Sequence, residues 1–136
     1  MEKAIHKIRV RYGETDQMGF VYYGNYALYL EEARTELIRS LGLTYLSLEQ
    51  SGVMMPVVNM NITYRKPAKY DDLLVLETWI DGNISRKITF KTIIKSEGGD
   101  VLNEAVISLV FVEAKSGKSI QCPEDIADKL KKFVHA

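Results

Sequence analysis

Cysteine occurs once in these 136 residues, at Cys122, so no disulfide can form within the chain. That usage suits a reducing compartment. Histidine occurs twice, at His6 and His135, near opposite ends. A Ser/His/Asp or Cys/His site would have to fold one of those terminal residues into a cleft. No Cys/His cluster has metal-ligand spacing, and neither a phosphate-binding glycine loop nor a dinucleotide fingerprint occurs, so no metal or cofactor is expected. An excess of one charge is missing too: 18 Lys and Arg balance 18 Asp and Glu. No global field therefore recruits nucleic acid or an anionic membrane. No stretch approaches the roughly 20 apolar residues that span a bilayer, and the N-terminus has no continuous apolar h-region. A cytoplasmic protein with a single domain over residues 1–136 is the expectation.

What the chain does have is concentrated between Tyr12 and Arg34, a turn-rich acidic loop feeding directly into a very apolar helix. The spacing predicts a helix over Tyr26–Leu41. Tyr26, Tyr29, Leu30, Ala33, Leu37 and Leu41 recur at helical intervals, while Ala27, Leu28 and Ile38 widen the stripe, so the helix should be largely buried. Gly24 suits the chain entry, Asn25 the N-cap and Gly42 the C′ position. Glu31 and Arg34 form an expected i,i+3 ion pair. The first amides of such a helix lack intrahelical partners and carry the positive end of its dipole, so they attract developing negative charge. Asp16 precedes them in a loop held by Gly13 and Gly19.

The remainder reads mostly as strand. Ile8, Val10 and Tyr12 alternate with Lys7, Arg9 and Arg11, and Val58, Met60, Ile62 and Tyr64 alternate with polar neighbours until Pro67. Further strands are predicted over Leu73–Ile80, Ile84–Lys95 and Val101–Val112, with turns at Asp81-Gly82-Asn83 and Glu97-Gly98-Gly99-Asp100. Leu43–Ser51 is a candidate short helix, and Pro123 opens another that carries Ile126, Leu130 and Phe133. Five strands joined mostly by short turns, with a buried helix after the first, predict an α+β domain whose antiparallel sheet wraps around one long helix.

Glu14-Thr15-Asp16, Val21-Tyr22-Tyr23-Gly24-Asn25-Tyr26 and Glu31-Glu32-Ala33-Arg34 together resemble the hotdog-fold acyl-CoA thioesterases of the 4-hydroxybenzoyl-CoA thioesterase family. Tyr64-Arg65-Lys66-Pro67-Ala68 followed by Asp71-Asp72 is similar to the family's second recurrent segment. The resemblance covers about Ile5 to Val112. Some members carry histidine where this chain has Tyr23. The resemblance implies a hotdog fold and hydrolysis of an acyl-CoA thioester.

Such hydrolysis needs an activated oxygen nucleophile and a donor where the oxyanion develops. The resemblance gives Asp16 the first role, as general base or as nucleophile through a transient anhydride, and the backbone N–H of Tyr23 the second. Tyr22, Gly24 and Asn25 are the adjoining candidates for contact with substrate. The plain alternative is that Asp16 only caps local amides in a glycine-rich turn. Glu31 and Glu32 are rival carboxylates, since hotdog enzymes exist whose acid sits on the central helix. Arg65 and Lys66, and Arg86 with Lys87, are candidate partners for coenzyme A phosphates; solvated strand ends are their ordinary alternative. Met18, Phe20, Met54, Met55, Val57 and Met60 are candidates for an acyl pocket. A non-catalytic domain that binds acyl-CoA or an acyl-carrier protein is the rival function. A homo-oligomer is expected, because one unit leaves strand edges and part of a sheet face open. The resemblance implies a dimer or tetramer with sites at the subunit interface.

Overall fold

The computed structural model describes residues 2–136. In chain order its elements are β1 (Ala4–Arg9), a 3-10 turn at Tyr12–Glu14, α1 (Asn25–Ser40), α2 (Tyr45–Gln50), β2 (Val53–Met54), β3 (Val57–Tyr64) and β4 (Leu73–Asp81). β5 (Lys87–Ser96), β6 (Val101–Val110), β7 (Val112–Glu113), α3 (Glu124–Leu130), a 3-10 turn at Lys131–Phe133 and β8 (Val134–His135) follow. The main sheet has the order β1-β4-β5-β6-β3, all antiparallel, with β8 pairing β4 in parallel. β2 and β7 make a separate two-stranded ladder. The five predicted strands are present, and the short β8, β2 and β7 are additions.

Alternation sets which face of the sheet meets the helix. Leu74, Leu76, Thr78 and Ile80 of β4 are buried, as are Ile88, Phe90, Thr92 and Ile94 of β5 and Ala105, Ile107 and Leu109 of β6. Against them α1 buries Tyr26, Tyr29, Leu30, Ala33, Leu37 and Ile38. The only polar pair inside this layer among the described residues is Thr78 with Thr92, directly opposite in register, with hydroxyl oxygens 3.0 Å apart. Each satisfies the other, which removes the cost of burying either.

Several local expectations differ. β1 ends at Arg9, and Tyr12 enters a 3-10 turn with its ring 77% exposed. The alternation ran on only because Val10, the next inward residue, is buried as it leaves the strand and its amide donates to Asp72 O. Ile84 lies in the connection before β5 rather than in it. Leu28 is 61% exposed, so α1 buries a stripe and not its whole circumference. Gly42, at φ +82°, ends α1 as a C′ glycine should, because a side chain there is strained. Cys122 is buried, and its thiol pKa is pushed up to about 11 by burial and by Asp125.

β3 stands apart from the other long strands. It pairs β6 along one edge only, and every residue from Val57 to Tyr64 is exposed except the half-buried Ile62. Among the described residues no helix is long and apolar enough to cross a membrane.

Candidate active site

The loop before α1 is built on four hydrogen bonds to Asp16, two to its backbone and two to its carboxylate. Asp16 N donates to Phe20 O (2.8 Å), and Asp16 Oδ1 accepts from Met18 N (2.9 Å) and Phe20 N (3.3 Å). Gly19, at φ +82°, closes this turn and donates to Asp16 O. The carboxylate is thus aimed by its own loop through Oδ1, and Oδ2 takes neither bond. Asp16 is half-buried. The turn-forming role of Asp16 therefore occupies one oxygen of the carboxylate and leaves the other free of these two bonds.

The loop is tied to the body of the fold at both ends. Val21 N donates to Ala68 O (2.8 Å), and Phe20 bridges Lys69. Ala68 is wholly buried. Asp72 Oδ2 accepts from Lys69 N (2.8 Å), and Asp71, held at φ 70° between the Val10 carbonyl and the Arg9 guanidinium, closes that turn. The segment Pro67–Asp72 is the cradle into which the acidic loop fits.

Glu14 provides the other anchor. Its carbonyl accepts from Tyr22 N (2.9 Å) and from Asn25 Nδ2 (2.8 Å), and its Oε1 accepts from Tyr29 Oη (2.9 Å) and Arg11 N (2.8 Å). Burial raises the Glu14 pKa, but these donors and the Arg11 guanidinium outweigh it and hold the carboxyl below its ordinary value. For Tyr29, burial first and the Glu14 carboxylate second push the phenol well above its usual range.

Asn25 is not the N-cap. Gly24 occupies that position with helical backbone angles (φ −64°, ψ −23°), and no side chain caps the helix. A chain that enters α1 already helical has no extended residue whose side chain can fold back on the amides, so the Asn25 carboxamide turns instead to Glu14. Asn25 N donates to Tyr22 O and Tyr26 N to Tyr23 O, whereas among the described residues no carbonyl accepts from Tyr23 N or Gly24 N. A Cβ at Gly24 would stand 2.6 Å from the Tyr22 ring, so a side chain there would displace that exposed ring. The Tyr22 and Tyr23 rings lie 4.7 Å apart, both exposed.

A cleft of about 320 Å³ opens at this junction, lined by Asp16, Met18, Phe20, Tyr23, Tyr64 and Arg65 among others, Lys66 included. Tyr64 packs against Tyr26 with ring centroids 5.6 Å apart, forming its floor. Opposite Tyr64 in register, Asn103 is buried with its amide nitrogen and oxygen unpartnered. Arg65 pairs with Glu104 (2.6 Å) and Lys66 with Asp100 (3.6 Å), both on the surface. Exposed pairs of this kind are weak and yield to a stronger anion.

Of the candidates, Asp16, Tyr23, Arg65 and Lys66 line the cleft, whereas Tyr22, Gly24 and Asn25 adjoin Tyr23 in the chain without lining it. Arg86 does not line it; its Nη1 donates to Ser119 O (2.7 Å). Met18 and Phe20 lie in the cleft, Met55 and Val57 line a separate cavity, and Met54 and Met60 are exposed. The predicted Glu31–Arg34 pair is absent among the described residues: Arg34 is 4% exposed on the core side of α1, while Glu31 faces out. Glu32 is engaged with His6 across the N-terminal strand. Glu14 and Tyr64 were not singled out as site residues, although both sit inside the two recurring segments.

A long helix gripped by a curled antiparallel sheet, with a carboxylate loop at the helix entry, defines a hotdog domain. The family model of the thioesterase superfamily matches residues 18–102. YneP of Bacillus subtilis (strain 168), which bears a provisional acyl-CoA thioesterase name, is 42% identical over 85% of this chain and 83% of its own. The acyl-CoA thioester hydrolase YbgC of Escherichia coli O157:H7 is 32% identical over 91% of this chain and 92% of its own. The crystal structure of a DHNA-CoA thioesterase from Staphylococcus aureus superposes with a TM-score of 0.91 at 30% identity, covering 97% of this chain and 91% of that one. This chain belongs to the hotdog-fold acyl-CoA thioesterases of the thioesterase superfamily.

Proposed function

We propose that this enzyme hydrolyses the thioester bond of acyl-CoA to a free acid and coenzyme A, with Asp16 as general base or nucleophile and the Tyr23 amide in the oxyanion hole. One observation carries the reading. Asp16 and Tyr23, whose amide meets no carbonyl among the described residues, line the same cleft, so a thioester carbonyl held there would meet an oxygen base on one side and a donor on the other.

As general base, Asp16 takes a proton from water while the water oxygen bonds to the carbonyl carbon. The oxyanion of the tetrahedral intermediate rests on the helix-entry amides, and its collapse expels the thiolate. As nucleophile, the carboxylate forms an anhydride with loss of thiolate, and water then cleaves it. Thiolate is a good leaving group, so neither route requires an acid at sulfur. Arg65 and Lys66, which line the cleft, suit the phosphates of coenzyme A, and Tyr22, Gly24 and Asn25 next to Tyr23 are the further candidates for contact with substrate. Arg86, remote from the cleft of its own chain, would serve a cleft only across a subunit boundary. The free edge and exposed apolar residues of β3 support a homo-oligomer with sites at that boundary.

The test is thiol release from a panel of short, long and aromatic acyl-CoAs by the wild type and by Asp16→Asn, with fold and oligomeric state checked. The variant should lose about 100-fold or more in rate, roughly 2.7 kcal/mol of transition-state stabilisation. Coenzyme A binding by a wild type that turns over no substrate would replace this reading with an acyl-CoA or acyl-carrier-protein binding domain.

A further inference from the structure

A second cavity, of about 300 Å³, shares no lining residue with the Asp16 cleft. Its walls are Glu31, Arg34, Tyr45, Met55, Val57 and Leu109. Arg34, from the middle of α1, is 4% exposed, and its Nε and Nη1 atoms are buried without any hydrogen-bond partner. The Tyr45 hydroxyl, from the start of α2, is buried and unpartnered as well. The guanidinium lies close enough to the phenol to act on its charge, yet none of Arg34 Nε, Arg34 Nη1 and Tyr45 Oη has a partner in hydrogen-bond geometry. Two side chains from different helices therefore turn unmet donors into one space, against the apolar faces of Met55, Val57 and Leu109. Glu31 and Val57 are the exposed members of this lining; burial raises the Tyr45 pKa, and the Glu31 carboxylate lies near enough to add to that rise without bonding to Arg34 Nε or Nη1.

Buried donors without acceptors are costly, a charged one most of all. The guanidinium fork matches a carboxylate through two parallel bonds. A compact inorganic anion would leave the apolar walls uncovered, and a neutral molecule would leave the buried guanidinium nitrogens without a charged acceptor. We infer that this cavity is a second binding site, which takes a small organic monocarboxylate held by Arg34 and Tyr45 with its apolar body against Met55, Val57 and Leu109. The volume lies at the lower end of the roughly 300 to 1,000 Å³ common for ligand pockets, which limits the acid to a compact one. A free acid is also what thioester hydrolysis releases; that link rests on the proposed activity, whereas the binding does not.

The experiment follows methyl resonances of methionine, valine and leucine in the full chain during titration with benzoate, with benzamide as its neutral isostere and inorganic phosphate as an anion without a body. Benzoate should shift Met55, Val57 and Leu109 saturably, with affinity at least about ten-fold above either control, the worth of a hydrogen bond to a charged group. Tyr45→Phe should weaken benzoate by about ten-fold and leave benzamide unchanged. Arg34→Gln should remove the preference for the carboxylate; if that variant does not fold, Tyr45→Phe, which deletes a single oxygen, decides alone. Equal affinity for benzoate and benzamide overturns the inference. Shifts confined to Met18 in the Asp16 cleft overturn it too. So does silence at Met55, Val57 and Leu109 in millimolar benzoate, which would assign the Arg34 donors to Glu31 or to a second copy over the mouth. Because binding is read directly, failure here leaves the thioesterase reading intact.

Discussion

Tyr29 Oη donates to Glu14 Oε1 across 2.9 Å, which fastens the first turn of α1 to the base of the loop that carries Asp16. The same glutamate receives Asn25 Nδ2 and Tyr22 N on its carbonyl, so one residue sets the height and direction of both the carboxylate loop and the helix entry. Asp16 is held by its neighbours in sequence; the whole loop is held by Glu14 and Ala68.

Glu14→Gln and Tyr29→Phe should each destabilise the protein by about 1 to 3 kcal/mol, because each leaves a partly buried group without its charge-assisted partner. The double variant should cost less than the sum. Denaturant titration of the four proteins gives the coupling; strict additivity would show that the two groups act separately. Turnover should fall in both single variants with Asp16 intact, since a loop displaced by a fraction of an ångström misplaces the carboxylate.

The pH dependence of stability follows from the same pair. The Glu14 carboxyl has a folded-state pKa below its ordinary value of 4.5. Its contribution is therefore complete above that value and is lost as pH falls through the depressed one, from about pH 5 downwards. Melting temperatures measured over this range should drop more steeply for the wild type than for Glu14→Gln. Parallel curves would remove Glu14 from the acid limb. At the other end, Tyr29 keeps its proton in the fold beyond the pH at which it ionises in the unfolded chain, so its contribution declines above about pH 10.

Thr78 and Thr92 offer a test inside the sheet. Thr78→Val leaves one buried hydroxyl unpaired and should cost about 1 to 3 kcal/mol. Thr78→Val with Thr92→Val removes both hydroxyls at nearly constant shape and should recover most of that loss. A double variant no more stable than the single one would mean that the pair contributes beyond mutual satisfaction.

Met60, 41% exposed on the edge strand β3, tests the oligomer. Met60→Lys places a solvated charge on that surface and should shift the mass measured by light scattering toward the monomer, with the far-ultraviolet spectrum preserved. Activity should fall with the mass if the sites lie between subunits. An unchanged mass would place any interface elsewhere.

Much of the architecture was legible because it is written in local periods. The stripe from Tyr26 to Leu37 required a helix, and alternation through β4 and β5 required strands with one face on a core. Asp16 and Tyr23 stood out because the residues around them form an unusual cluster. What could not be read were the places where periodicity continues after the structure has stopped. Tyr12 keeps the rhythm of β1 but lies in a turn, and Leu28 widens the helical stripe but faces water. Asn25 is a good cap by residue type, yet its carboxamide is drawn to Glu14.

Taken alone, the sequence determined the sheet-and-helix class, the acidic loop and its junction with α1, since each depends on residues a few positions apart. Tertiary structure decided what those elements face. It joined Asp16 to Tyr64 and Arg65 across more than forty residues, seated the loop on Ala68, and turned Arg34 inward to share a cavity with Tyr45 rather than outward to pair with Glu31. The physical reason is that an i,i+3 spacing permits a surface ion pair but does not impose it. The direction of a helical side chain is set by the rotation of the whole helix on its sheet, and that rotation is fixed by the burial of Tyr26, Leu30 and Leu37 together.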